Sequence, residues 1–339
     1  MAASRSMQLA PIYSRIISKF PPNFSFCFAY GSGVKKQLTA ANNADQTANM
    51  IDLIYCVDHP KKWHQNNLKD HATHYSFLKH LGPKFIASYQ ENSGAKVYFN
   101  TLVPIEGTLI KYGVISTSDL ITDLLDWSDL YVAGRLHKPV EIIKYPTKPE
   151  IETALQLNLQ SAVHAALLIL PNTFSEYEFY YTISNLSYAG DFRMTFGENK
   201  NKVYNIVKPQ LAGFRNLYKS ILSGLTDYAD FPVLKDAHQD GAVCSQDTNP
   251  LAKLHHLNHL PKCPQKMLTR FWNRGQFKQD TEDVLRAIAY DPDCSAVVEQ
   301  CISEIVWRSS VWQSLKGVLT AGVVKSVQYS GRKIAKMFK

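Results

Sequence analysis

The sequence predicts an α/β protein: a mixed sheet with helices, then a helical, winged-helix-like domain, then a C-terminal amphipathic helix. Three observations predict it. Short alternating apolar runs interspersed with helical segments fill the chain up to about Pro146. Helix-period runs dominate after Pro149, and the last thirty-odd residues combine an apolar stripe with basic side chains only. The corresponding domains are 1–148, 149–240, a helical region 241–307 and a basic amphipathic tail 308–339. With 339 residues, 45% of them hydrophobic and 19% charged, the chain is neither disordered nor a disulfide scaffold, and it can bury a sizeable core.

Taken in order, Pro11 to Phe20 reads as a first helix, with Ile12, Ile16 and Phe20 on one face. The residues before Asp45 contain no acid, and this basic opening has the character of an organelle-targeting segment of which any removable part is very short. Phe24, Phe26, Phe28 and Tyr30 alternate with Ser25, Cys27 and Ala29, a strand ending at Gly31-Ser32-Gly33. Ile51 to Val57 is a second strand, and Trp63 to Leu81 reads as a helix stopped by Gly82-Pro83. Val97 to Val103 and Leu109 to Ile115 are further strands, followed by a helix Ser118 to Asp126 capped by Ser118.

Beyond Pro149, Ile151 to Leu170 and Phe174 to Leu186 are helical runs. Arg193 to Phe196 and Val203 to Ile206 flank Gly197-Glu198-Asn199 like a hairpin, which completes the winged-helix pattern. Leu251 to Glu304 is helical with breaks at Pro261, Pro264 and Pro292.

Charge and cysteine usage narrow the partners. Seven of the 37 basic residues and none of the 29 acidic ones fall between Arg308 and Lys339, so the body is nearly neutral and the net charge of +8 belongs to the tail. A neutral body with one cationic end argues against a nucleic-acid partner and for a surface docked at that end. Val311, Trp312, Leu315, Val318, Leu319, Val323 and Val327 approximate an apolar helical stripe, which suits equally a core-packed helix with a solvated cationic end, to which Gly317 and Gly322 point, and a helix lying in an anionic membrane surface, with Trp312, Lys316, Lys325 and Lys333 as the expected contacts in the second case. The six cysteines form no C-x-x-C pair and read as reduced, buried thiols. No apolar stretch approaches the ~18–20 residues that cross a bilayer.

The most informative segment is Phe28-Ala29-Tyr30-Gly31-Ser32-Gly33-Val34, followed on the next strand by Met50-Ile51-Asp52-Leu53-Ile54. A small-residue turn lets backbone N–H groups cradle phosphates, and a carboxylate on the adjacent strand can hold a divalent cation against them. This pairing resembles the nucleotidyltransferase superfamily. Further blocks extend the resemblance: Trp63-His64 with His74-Tyr75-Ser76, Leu109 to Ile115, Leu130-Tyr131-Val132-Ala133-Gly134-Arg135-Leu136-His137-Lys138-Pro139, and Ser187-Tyr188-Ala189-Gly190-Asp191-Phe192-Arg193-Met194. In that order they look like the mitochondrial phosphatidate cytidylyltransferases, over roughly Ile16 to Lys339. The resemblance implies a nucleotidyltransferase-type sheet in 1–148 and Mg2+-dependent conversion of CTP and phosphatidic acid to CDP-diacylglycerol and pyrophosphate. It also implies a peripheral location on the matrix face of the mitochondrial inner membrane, supplying cardiolipin synthesis.

The superfamily's first strand commonly offers two carboxylates at i and i+2, but here Ile54 follows Asp52. Asp58 shares its parity yet lies about 20 Å along the strand. On its own Asp191 reads as a solvated turn residue; the resemblance makes it the candidate second metal ligand beside Asp52, which would place the site between domains. Tyr30, Gly31, Ser32 and Gly33 would seat the triphosphate, while Lys111, Arg135 and Lys138 are candidates for neutralising its charge. His64, Leu68, His71, Tyr75 and Leu78 share a helical face that reads as packed and hydrogen-bonded. His255, His259 and Cys263 repeat at i+4, but Pro261 interrupts them and no second ligand pair is evident, so a structural reading prevails over zinc. Two rivals remain on the residues alone: a nucleotidyltransferase with an RNA or small-molecule acceptor, and a non-catalytic assembly protein.

Overall fold

The structure, a computed structural model, describes residues 11–31, 34, 50–196, 201–232, 243–275 and 278–322. Residues 1–10 of the expected targeting segment, Ser32, Gly33, Val323, Lys325, Val327 and Lys333 lie outside these. After α1 (Pro11–Ile17), strands β1 (Phe26–Tyr30), β2 (Ile51–Val57), β3 (Tyr98–Ile105), β4 (Thr108–Ser116) and β5 (Glu141–Lys144) form one sheet in the order β3-β4-β2-β1-β5. Only β2 and β4 are parallel. Alternation gives each strand two apolar faces, and both are covered. Phe26, Phe28, Ile54, Cys56 and Ile115 point into the core shared with the C-terminal helices. Cys27, Ala29, Leu53, Tyr55 and Val57 meet Ile16, Phe20 and Trp63 on the other side.

Helices α2 (Pro60–His71), α3 (Gly82–Asn92), α4 (Thr117–Asp126) and α5 (Ala133–Leu136) punctuate the sheet. Two expectations are corrected here. The run 63–81 is not one helix: α2 passes into two 3-10 turns, and Pro83 opens α3, where its missing N–H leaves no bond unmade. The cap of α4 is Ser116 rather than Ser118, its hydroxyl accepting from the Asp119 N–H at 3.0 Å. Tyr75 and Leu78 therefore lie beyond α2 and share no helical face with His64, but the group is packed and hydrogen-bonded as expected: His64 bonds Tyr75 and Gln90, both at 2.8 Å, and Asn67 donates to Tyr75 and Tyr112, both at 2.9 Å.

The second half comprises α6 (Pro149–Ile169), β6 (Thr173–Ser175), α7 (Glu176–Asn185), α8 (Phe192–Phe196), α9 (Lys202–Val207), α10 (Leu211–Leu222), β7 (Ala229–Asp230), β8 (Val243–Gln246), α11 (Pro250–Asn258), α12 (Lys262–Trp272), α13 (Thr281–Tyr290) and α14 (Cys294–Ala321). A small sheet, β6-β8-β7, sits among them. The expected hairpin around residues 197–199 is overturned: both flanks are helical, because Val203, Ile206 and Val207 recur at i, i+3 and i+4 and are buried together. Pro264 likewise breaks nothing, since it sits in the first turn of α12, where N–H groups lack intrahelical partners anyway. The cysteines are free thiols, all buried except the partly exposed Cys263. Among the described residues no helix is long and apolar enough to cross a membrane.

Helix α14 runs unbroken through residues 307–308 and is inverted along its second half: its polar side chains face inward and its apolar ones outward. Ser309, Ser310, Gln313, Lys316 and Thr320 are buried, while Trp312, Leu315, Val318 and Leu319 are exposed, Trp312 at 64%. Ser310, Gln313, Lys316 and Thr320 are satisfied by backbone. Gln313 accepts from the Ala95 N–H at 2.9 Å and donates to the Val97 carbonyl at 3.2 Å; Ser310 accepts from the Phe192 N–H at 3.2 Å. Lys316, expected at a membrane surface, instead points inward. Its ammonium donates to the carbonyls of Gln90 and Ser93 at 2.9 and 2.8 Å, a cation on the C-terminal end of α3.

Candidate active site

Sheet register assembles the first half of the site. Tyr30, the last residue of β1, pairs directly with Asp52 on β2, and Asp52 pairs with Lys111 on β4, so the three side chains share the face that meets the helices. Lys111 Nζ lies 3.8 Å from Asp52 Oδ1 and 4.5 Å from the Phe99 ring centre. The turn then closes onto the carboxylate: Gly31 has φ of +84°, and a Cβ there would stand 3.2 Å from Asp52 Oδ2. Glycine permits both the left-handed backbone and the close approach. Asp58, at the far end of β2, pairs with Lys148 at 2.8 Å and accepts from Thr117 at 2.6 Å, well removed from this turn.

The segment 129–138 supplies the second half. The buried Asp123 carboxylate accepts from the N–H groups of Asp129, Val132 and Ala133 at 3.0, 2.8 and 2.9 Å, capping α5 from a distance in sequence. Asn158 of α6 holds the same segment from the other side: its amide donates to the Ala133 carbonyl at 3.1 Å and its oxygen bonds Trp127 at 2.8 Å and His137 at 3.0 Å. Arg135 is thereby held over Tyr131, 3.8 Å from its ring centre, and beside Tyr30 at 5.2 Å, donating to the Tyr131 carbonyl. Burial opposes its charge, but the two tyrosines outweigh that and hold the Arg135 pKa above the ordinary value. Burial pushes Tyr30 up to about 12 despite Arg135 and Lys111. Tyr131 feels the same burial, yet Arg135, Arg193 and Lys111 together draw its pKa down.

Asp191 reaches this cationic patch from the turn after α7. Gly190 has φ of +80° and packs so tightly on α14 that a Cβ would stand 2.2 Å from the Ser303 carbonyl oxygen. The Asp191 carboxylate is buried and grips Arg193: Oδ1 accepts from the Arg193 backbone N–H at 3.0 Å and from Nε at 2.9 Å, and Oδ2 from Nε and Nη2. Burial works to raise its pKa, but Arg193 and, further off, Arg135 prevail and hold it below the ordinary carboxylate value. Lys138 is also committed, donating to the Gly134 carbonyl and, at 2.8 Å, to Ser187 Oγ. Burial, reinforced by Arg135, pushes its pKa down to about 7.

The structure thus gathers Tyr30, Gly31, Asp52, Lys111 and Arg135 around one patch, with Asp191 on its border through Arg135. Asp52 has the surroundings of a hard-cation ligand: it is partly exposed beside the Gly31 turn, with Lys111 Nζ at 3.8 Å. Asp191 fits that part less well, because its four acceptor sites are taken up by Arg193. Its arrangement is that of an anchor for a guanidinium. Sequence reasoning did not single out Tyr131, Arg193, Asp123 or Asn158. The first two lie within quoted blocks, so signal was present; the others act through long-range caps that spacing does not show.

Comparison with known proteins places this geometry in a family. The family described as phosphatidate cytidylyltransferase, mitochondrial, matches residues 13–336. A protein of that name from Danio rerio is 49% identical over 330 residues, covering 97% of this chain and 95% of its own. Its counterpart from Mus musculus is 48% identical over 325 residues, covering 96% and 94%, and that from Drosophila melanogaster is 43% identical over 340 residues, covering 96% and 98%. With every block of the site inside the matched span, the chain belongs to the mitochondrial phosphatidate cytidylyltransferase family.

Proposed function

We propose that this chain is a mitochondrial phosphatidate cytidylyltransferase, converting CTP and phosphatidic acid to CDP-diacylglycerol and pyrophosphate. The observation that carries the reading is the match over nearly the whole chain to relatives of that name. In the reaction a phosphate oxygen of phosphatidic acid bonds to the α-phosphorus of CTP, and the bond from that phosphorus to the β-phosphate oxygen breaks, releasing pyrophosphate. No proton need be removed, since a phosphate monoester with a second pKa near ~6 is largely ionised at neutral pH.

The problem left to the protein is the meeting of two anions. Lys111 and Arg135 face the patch beside the Gly31 turn and neutralise phosphate charge there. Tyr30 and Tyr131 hold the Arg135 guanidinium by ring contact, and Asp191 holds Arg193 toward the same patch. Lys138 ties α5 to the Ser187 turn, so it positions this segment and does not reach for phosphate itself. Asp52 is the residue that would hold Mg2+, with Asp191 joining it only by exchanging Arg193. When bound, the ion supplies charge neutralisation at the transferring phosphate.

The inverted face of α14 supports membrane docking. Apolar residues turned to solvent over consecutive turns, Trp312, Leu315 and Leu319, suit the interface of a bilayer in which the lipid substrate resides, here the matrix face of the inner membrane. Incubating the purified chain with labelled CTP, Mg2+ and phosphatidic acid vesicles tests the assignment. Lipid-linked CMP is expected, and Asp52→Asn abolishes it without loss of fold; an inactive wild type across metal conditions, or an active Asp52→Asn, overturns the reading.

A further inference from the structure

Far from the Asp52 patch in sequence, four histidines meet where α6 packs on α11. His164 of α6 is buried; His255 and His259 stand one turn apart at the end of α11, the first half-buried and the second exposed; His256 is buried beside them. One ring nitrogen from each of His164, His255 and His259 lies within 4.8 Å of the other two. The rings are packed together: centroids are 4.5 Å apart for His164 and His259, 4.3 Å for His255 and His259, and 5.5 Å for His164 and His255.

The hydrogen bonds sort the ring nitrogens. His259 Nδ1 donates to the His255 carbonyl at 2.8 Å, so its proton sits on Nδ1 and its lone pair on Nε2. His255 Nδ1 bonds the Tyr228 hydroxyl at 3.1 Å, with the tyrosine ring stacked on it at 4.0 Å. His164 Nδ1 bonds His256 Nδ1 at 2.9 Å. Each of the three rings is therefore held at Nδ1 by a carbonyl, a hydroxyl or a neighbouring imidazole. This is the outer-sphere pattern that orients histidines ligating a metal through Nε2.

We propose that His164, His255 and His259 form a binding site for a borderline-soft divalent transition ion of the zinc class, closed by three imidazoles and open to solvent on the His259 side. The ligand type selects the ion: imidazole nitrogens suit Zn2+, Co2+ or Ni2+, whereas Mg2+ takes oxygen. Tetrahedral ligation at ~2.0–2.1 Å brings ligand nitrogens to about 3.4 Å apart. Side-chain rotation supplies the remaining approach, since His255 and His259 lie on the accessible side. The ion would clamp α11 onto α6, the helix whose Asn158 fixes the Arg135 segment. Cys263, grouped with His255 and His259 by sequence spacing, belongs to α12 and packs against the main core, and His164 takes the third place.

The test uses the full chain, stripped with a chelator and titrated with Co2+ by visible absorption, then with Zn2+ by calorimetry and thermal melting. The expected result is stoichiometric uptake, tetrahedral Co2+ bands displaced by Zn2+, and a Zn2+-dependent rise in Tm. His259→Gln, at an exposed position, and His255→Gln each abolish the bands and the rise while keeping the metal-free Tm. Asp52→Asn retains both, which separates this site from the one proposed for Mg2+. Absence of uptake by the wild type, or equal uptake by His259→Gln, overturns the proposal.

Discussion

Lys316 and Trp312 lie four residues apart on α14, and the structure gives them opposite duties that a pair of substitutions can separate. Lys316→Met keeps much of the stem but removes the ammonium that holds the Gln90 and Ser93 carbonyls. Above pH 7 burial leaves this amine largely neutral, and a neutral hydrogen bond is worth ~0.5–1.5 kcal/mol net, so two lost bonds amount to about 1–3 kcal/mol of destabilisation. Burial pushes the Lys316 pKa down to about 7, with Asp119 and Asp129 partly opposing. Between there and the ordinary lysine value the unfolded chain binds more protons than the folded one, so this residue makes stability rise with pH across that window, the gain being fully lost once pH has fallen to about 7. The variant loses that contribution, up to about 1.4 kcal/mol per pH unit, and its deficit in urea midpoint is therefore larger at pH 9 than at pH 7. Trp312→Ser, at an exposed position, moves the midpoint by under ~0.5 kcal/mol but reduces sedimentation with anionic liposomes. A Lys316→Met protein with wild-type stability and lost liposome binding would refute the inward assignment.

Two further substitutions probe the scaffold of the site. Gly31→Ala forces a side chain into a left-handed backbone and against Asp52 Oδ2; a stability cost of ~1–2 kcal/mol and a fall in CTP turnover on the order of tenfold or more are expected in a coupled pyrophosphate-release assay. Unchanged turnover would show that the turn does not shape the Asp52 environment. Asn158→Ala strands the Trp127 and His137 ring nitrogens and the Ala133 carbonyl, and should cost roughly 2–4 kcal/mol in urea denaturation, a loss under ~1 kcal/mol arguing that α5 is held elsewhere.

Much of the sheet was legible because β-alternation is local. The run Ile51 to Val57 is β2 to the residue, and the parity of Tyr30 and Asp52 places them together once the strands pair. The failures share another cause. Gly197-Glu198-Asn199 is a strong local turn signal, yet the flanks follow the helical period of Val203, Ile206 and Val207, whose burial only tertiary packing reveals. On α14 the stripe is exposed at Trp312, Leu315, Val318 and Leu319, but Lys316 is not its solvent-facing partner, because the carbonyls that draw the polar face inward come from residues more than 200 positions earlier. Within the site, Asp191 and Asp52 were visible as carboxylates, but not that Arg193 would occupy one of them. The caps from Asp123 and Asn158 have no spacing signature at all.

The Asp191–Arg193 pair decides how the site divides its acids. A carboxylate whose contacts are filled by the Arg193 guanidinium and the Arg193 backbone N–H cannot also ligate an ion, so anchor and metal-ligand roles are mutually exclusive in this arrangement. As an anchor, Asp191 acts only through Arg193, and the two residues form one functional unit. Asp191→Asn, Arg193→Gln and the double variant should then show similar losses in kcat/KM for CTP, with a coupling energy that nearly cancels the second loss. All three should also share one Mg2+ dependence. As a metal ligand, Asp191 would act independently of Arg193: Asp191→Asn alone would shift the Mg2+ midpoint upward, and the double variant would approach the product of the single losses. Measuring CTP saturation and Mg2+ titrations on the same three proteins distinguishes the cases. The geometry favours the coupled outcome, because the guanidinium meets both carboxylate oxygens and the turn that carries them is pinned to α14 through Gly190.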